Sequence, residues 1–268
     1  MAANFPEIWN GRVIDNLNKA IIATWLEGIS EIPANVTTIN GGTITEKQKI
    51  YVAATDFDVD VLINNSTYPI EVQEYADGTI EITLDKYQTK ATSLSDDDAL
   101  GASYDKIDVI TKSHVSAILD NKFNKSLHAI APAGNTADTP VIQATGGPDS
   151  LADASGRLRL VYEDLVEARR KCGWKGARIV LTNDHWNDLL LDRKNFGNQL
   201  VDYKMGNPAS VIAGFELHKF EDGVHPLYTA AGAKKPFGSI KEAGDTEASV
   251  IFAKSAIAKK TGDTKQYF

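Results

Sequence analysis

The stretch from about Ser103 to Ile130 constrains this chain most. Ile107, Ile110, Val115, Ile118, Leu119, Phe123, Leu127 and Ile130 recur at three- and four-residue steps, the spacing that lines one face of an α-helix. Ser103 can cap the first turn, Asp105 complements the positive end of the dipole, and Pro132 with Gly134 ends the run. About 28 residues at 1.5 Å each make a rod of roughly 42 Å. A helix of that length with a narrow apolar stripe serves as a strut.

The flanking segments supply surfaces that need cover. Residues 1–30 carry a second helical pattern, with Ile8, Trp9, Val13, Ile14, Leu17, Ile21, Ile22, Trp25, Leu26 and Ile29 on one broad stripe. Two tryptophans on so short a terminal helix imply docking onto a large body, either the chain's own core or a neighbour. The chain then turns through Gly41-Gly42. Residues 56–63 alternate, with Phe57, Val59, Val61 and Ile63 opposite Asp56, Asp58 and Asp60, the pattern of a half-buried strand. Ile70 to Val72 and Ile80 to Leu84 also alternate, with Asp77-Gly78 between them, so the spacing predicts a β-hairpin turning at that dipeptide. Two strands with one apolar face are marginal in water. Either the rest of the chain covers this face or another copy does.

After an irregular stretch over 131–157, with a short apolar island at Val141-Ile142, helix and strand alternate. Helical spacing over Leu158, Val161, Leu165, Ala168 and Cys172 leads to a strand at Arg178 to Leu181. A helix capped by Thr182 or Asn183 and carrying Trp186, Leu189 and Leu190 comes next. A strand over Val211 to Leu217 with Gly214 inside it, a last apolar strand from Ala248 to Ala253 and a short strand at Ala256-Ile257 complete the pattern.

Composition and motifs narrow the function. Of 268 residues, 43% are hydrophobic and 24% charged, which excludes a disordered or membrane-embedded chain. No run approaches the roughly 18 apolar residues of a spanning helix, and the first residues lack the pattern of a secretory signal. A single cysteine, Cys172, forms no internal disulfide. With 28 basic against 36 acidic residues the net charge is −8, and no block of Lys or Arg provides a basic footprint for nucleic acid, although a folded surface can gather scattered lysines. His114, His128, His185, His218 and His225 share no metal-ligand spacing. Phosphate-binding glycine motifs and a nucleophile elbow are absent. Asp96-Asp97-Asp98 reads as a solvated helix approach, Asp184-His185 as a capped and exposed helix start, and Cys172 as a buried inert thiol. These features predict no enzyme, no catalytic residue, no cofactor and no metal.

The order of elements resembles the major capsid protein of tailed bacteriophages, an α+β architecture known as the HK97-like capsid fold. Tyr104-Asp105-Lys106-Ile107-Asp108 through Ile118-Leu119-Asp120 resembles the entry and middle of that family's spine helix. Leu160 to Ala168, Ala177 to Thr182 and Trp186 to Leu190 are similar to its helix–strand–helix core, and Gly206 with Ile212 to Leu217 to the strand that follows. The resemblance implies an N-terminal arm at 1–35, peripheral-domain strands at 36–63 and an extended β-hairpin loop at 64–95. It further implies a peripheral-domain spine helix at 96–132, an axial α/β domain at 133–253 and a C-terminal return at 254–268. Such proteins assemble as hexamers and pentamers into an icosahedral head around double-stranded DNA, with a portal, and the virion forms in the host bacterial cytoplasm. Because Met1 leads directly into the arm, the resemblance implies a separate scaffolding protein or a processed chain. It places inter-subunit contacts at Trp9, Ile14, Trp25, Ile70, Val72, Asp77, Gly78, Ile80, Ile82, Leu84 and Lys86. Some relatives crosslink through a loop lysine, but nothing here identifies an asparagine partner for Lys86 or Lys90, which read as solvated or interface lysines. The competing readings are an encapsulin-type nanocompartment shell and a soluble α/β enzyme.

Overall fold

The structure, a computed structural model, describes residues 23–33, 37–40, 43–46, 49–55, 59–73, 77–92, 106–173, 176–192, 201–202, 207–220 and 223–261. Ser103, Asp105 and Asp96 to Asp98 lie outside them. In chain order, a 3-10 turn at Thr24–Leu26 precedes β1 (Ser30–Glu31), β2 (Thr37–Asn40), β3 (Thr43–Glu46), β4 (Lys49–Thr55) and β5 (Asp77–Thr83). The long helix α1 (Lys106–Ile130), α2 (Tyr162–Cys172), β6 (Ala177–Leu181) and α3 (Asn183–Leu191) come next. The last strands are β7 (Val201–Asp202), β8 (Asn207–Pro208), β9 (Val211–Ile212), β10 (Phe215–Lys219), β11 (Leu227–Tyr228), β12 (Thr246–Glu247), β13 (Val250–Ala253) and β14 (Ala258–Lys259). The chain divides into two compact units, one containing 23–31 and 89–260, the other 32–88.

The larger unit is organised on a four-stranded mixed sheet in the order β13-β6-β10-β9. β6 is buried at every residue, four of them apolar and one, Arg178, charged. Alternation splits its side chains between two cores. Val180 joins Val250 and Phe252 against Val115, Leu119, Phe123 and Leu127 of α1, while Ile179 and Leu181 join Phe215 and Leu217 against Leu165 of α2 and Leu189 of α3. The helix predicted over this stretch is present, and Val115, Leu119, Phe123 and Leu127 of its stripe are buried against the sheet. Thr182 caps α3 as predicted, its hydroxyl accepting from the His185 N–H at 3.2 Å.

Four expectations are corrected within this unit. The predicted strand 211–217 is a hairpin: Ile212 pairs with Phe215, and Ala213 and Gly214 adopt positive φ (50° and 81°) in a two-residue turn. The helix expected from Leu158 starts at Tyr162, because Leu158 bridges Ala152 and the Asp164 carboxylate accepts from the Val161 N–H at the helix entrance. The short strand lies at Ala258–Lys259, paired in parallel with Ser30–Glu31, and not at Ala256-Ile257. Cys172 is half-buried, and desolvation pushes its thiol pKa up.

A feature absent from the helical pattern fastens the end of α1. The Lys234 ammonium donates to the carbonyls of His128 (2.9 Å) and Ala131 (2.6 Å), and the Tyr228 hydroxyl donates to the Pro132 carbonyl (2.6 Å). Burial draws the Lys234 pKa down and pushes Tyr228 up to about 12. A cation on C-terminal carbonyls satisfies orphan acceptors and complements the helix dipole. Lys234→Met is expected to cost about 1–3 kcal/mol, read as a lower thermal midpoint. An unchanged midpoint would contradict this role.

Candidate inter-subunit surface

In the smaller unit, β4 and β5 form an antiparallel ribbon of seven pairs, from Lys49 opposite Thr83 to Thr55 opposite Asp77. Ile50 faces Ile82 and Val52 faces Ile80, making one apolar face. Lys49 reaches Glu81 at 2.6 Å on the other face, where a hydrogen bond from Tyr51 to Glu81 raises the tyrosine pKa. β2 and β3 pair with Asn40 opposite Thr43, which leaves only residues 41–42 to connect them.

This pairing overturns the predicted hairpin. Asp77-Gly78 begins a strand and does not turn the chain, and the partner of β5 is 49–55 and not 70–72. A seven-residue ladder outweighs the three-residue run behind Pro69, which has no N–H to donate. The expected strand 56–63 is corrected too: residues 59–63 form no strand, and 56–58 lie outside the described residues.

The segment from 59 to 73 instead exposes its apolar residues. Val61, Ile63 and Val72 are 79%, 83% and 91% exposed, and Val59, Leu62, Tyr68 and Ile70 are also largely exposed. Local bonds give the segment a definite course. The Asp60 N–H donates to Gln73 Oε1 (3.2 Å), and the Asn65 amide both donates to the Thr67 carbonyl (2.8 Å) and accepts from the Thr67 N–H (2.9 Å). So many large apolar side chains exposed in fifteen residues make this a candidate interaction surface, since monomeric proteins seldom leave such a patch in water.

The residues expected to touch neighbours separate on inspection. Ile70, Val72, Gly78, Ile80 and Lys86 are exposed, and Ile82 and Leu84 half-buried. Asp77 is described through its backbone pairing with Thr55. Trp9 and Ile14 lie outside the described residues. Trp25 is a correction: it is fully buried in its own chain, edge-on to Phe220 (5.9 Å) and Phe252 (6.4 Å). Its side chain has no free surface for another copy. The helix expected to run through Ile29 is only a 3-10 turn here, because residues 24–31 bend onto the sheet.

That bend depends on a residue the sequence reading passed over. Arg178, 7% exposed in the middle of β6, donates from Nη1 to the carbonyls of Trp25 (2.9 Å) and Glu27 (2.5 Å) and from Nε to Glu216 Oε2 (2.8 Å). Thr24 Oγ1 meets His218 Nδ1 at 3.1 Å, and the Lys259 ammonium donates to the Leu26 carbonyl (3.3 Å). The signal was a charge inside an apolar strand, which demands partners.

A second missed pattern is Asp184, Asp188 and Asp192, one turn apart along α3. Asp188 takes both Arg157 terminal nitrogens (2.8 and 3.0 Å) and the Leu160 N–H (3.0 Å), while Asp192 accepts from the Tyr162 N–H (3.2 Å). Asp184 is exposed, as expected, and His185 is half-buried against Ser249 Oγ at 2.7 Å. In a cleft of about 350 Å³ between residues 135–145, α2 and 230–232, Asp164 accepts from the Thr145 hydroxyl (2.6 Å) and Glu167 holds Arg170 (2.6 Å). Asp164, Asp188 and Asp192 hold the loops, while Glu167 pairs within its own helix. Among the described residues no cluster of metal-ligating side chains occurs, and no helix is long and apolar enough to cross a membrane.

Burial lowers the pKa of His185, His218 and His225. The unfolded chain takes up protons near pH 6.5, where the folded chain resists them, so this stability is full above 6.5 and declines as pH falls below it. The Ser155 hydroxyl, aided by Arg157, holds Asp153 down to about 2, which adds a second loss between pH 4 and 2. Thermal midpoints should therefore be flat between pH 8 and 7 and fall from about 6.5 downward. A midpoint that rises towards pH 5 would contradict the assignment.

No protein-family profile and no curated protein matches the sequence. Solved structures do match. The mature capsid of bacteriophage PhiM1 aligns with a TM-score of 0.53 at 11% identity, over 86% of this chain and 72% of that one. The capsid of cyanophage P-SCSP1u aligns with a TM-score of 0.53 at 11% identity, over 85% and 76%. The fold is that of a phage capsid protein.

Proposed function

We propose that the chain is a major capsid protein whose copies close into hexamers and pentamers of an icosahedral phage head enclosing double-stranded DNA. The observation that carries this reading is the exposed apolar segment 59–73 in a chain with a capsid fold. In an isolated copy these side chains stand in water. In a symmetric ring each copy offers the segment to the next, and the same contact repeats until the assembly closes. Weak contacts repeated many times suffice for a stable shell.

Under this reading the smaller unit carries the extended loop, α1 is the spine of a peripheral domain, and the sheet with α2 and α3 belongs to an axial domain. A scaffolding protein and a portal are its assembly partners, and the virion is its location. Electron microscopy of the purified chain tests the proposal. Isometric particles with five- and six-fold clusters are expected. A dispersed 29.1 kDa monomer at every concentration would overturn it.

A further inference from the structure

We propose that Lys122, Lys254 and Lys259 form the surface that meets the phosphate backbone of enclosed duplex DNA, an inference that rests on the capsid reading above. Many cations of the larger unit are neutralised within the chain. Lys112 holds Asp108 (2.6 Å), Arg157 holds Asp188 (2.8 Å), Arg170 holds Glu167 (2.6 Å) and Lys235 holds Asp245 (2.7 Å). Among the described residues no carboxylate lies within 4.0 Å of Lys122, Lys254 or Lys259, although Lys254 acts on Glu216 at longer range.

The fold gathers these three from distant positions in the sequence. Lys122 stands on α1 beside Phe123, in the core against which Leu26 and Ile257 pack. Lys259 lies on β14 with its ammonium on the Leu26 carbonyl, and Lys254 runs along Gly28, its Nζ 3.6 Å from where a Cβ would sit. Burial, and to a lesser extent repulsion from nearby Lys259, disfavours the charged form of Lys122. Such a like-charge pair costs stability that a polyanion would return. The net charge of −8 does not forbid this, because screening confines each charge to about 8–10 Å at physiological salt.

Duplex DNA suits this surface better than an acidic protein. Lysines are point charges on flexible stems, without the planar fork that reads a particular group. Neither the 350 Å³ cleft nor the small crevice beside Phe237 is lined by any of the three. Phosphates spaced evenly along a duplex need no such site.

The test measures binding of a fluorescent 20-base-pair duplex to the purified assembled chain across a salt series. Each lysine–phosphate contact contributes about 0.9 to the slope of log K against log salt, so K122Q/K254Q/K259Q should lower that slope by roughly 2–3. K122Q/K254Q, which removes no backbone hydrogen bond, should lower it by roughly 2, and K112Q/K241Q should leave it unchanged. Equal slopes for wild type and both lysine variants would overturn the inference. So would particles that form normally yet bind polyglutamate and not the duplex, a result that leaves the capsid reading standing. Absence of particles together with absence of binding would overturn both.

Discussion

Replacing both Val61 and Ile63 with aspartate is expected to abolish particle formation while leaving each copy folded. The two side chains are 79% and 83% exposed, so the isolated fold gains little from them. In an interface, burying each contributes about 1.5–3 kcal/mol. Aspartate forfeits that term and adds the cost of desolvating a carboxylate, several kcal/mol more. A loss of even 3 kcal/mol per contact lowers an association constant about a hundredfold, and closure multiplies the loss over every repeated contact. Sedimentation velocity should show only small species, with a thermal midpoint within about 2 °C of wild type. Intact particles from the double variant would show that this segment is not a contact.

The second large effect concerns folding. Arg178→Met should destabilise the chain by about 3–5 kcal/mol, because it leaves two backbone carbonyls without donors at the root of the N-terminal segment. Glu216 can turn its half-exposed carboxylate to water, so the greater part of the loss comes from Trp25 and Glu27. Arg178→Lys keeps the charge but loses the fork that serves three acceptors, and should recover only part of the loss. A shift in the urea midpoint without a change in slope is the expected readout. A loss below 1 kcal/mol would show that the N-terminal turn holds without this arginine.

The contrast between these residues shows what could be read from sequence. The stripe of α1, the apolar residues of β6 and the Thr182 cap were legible because their signals are local and the surrounding layers agree with them. The hairpin was misread because alternation reports which face of a strand can be buried, never which strand will lie beside it. Residues 56–63 alternate more cleanly than 49–55, yet it is 49–55 that pairs with β5. Trp25 posed the same ambiguity: an apolar stripe does not say whose core it fills, and here the answer was the chain's own. The Arg178 clamp and the aspartate row on α3 are long-range polar satisfactions, spanning 153 residues from Arg178 to Trp25 and 31 from Arg157 to Asp188. Their partners become visible only once the strands are in register. For the exposed segment, the need for outside cover was legible, but the residues that present it run from Val59 to Val72 in an irregular loop and not in a hairpin.

Hydroxyl-radical footprinting of assembled particles against dissociated subunits tests the central claim most directly. The account predicts that Val61, Leu62, Ile63, Tyr68, Ile70 and Val72 are labelled in the separated chain and protected in the particle. Equal labelling of the 59–73 segment in the two states would contradict it.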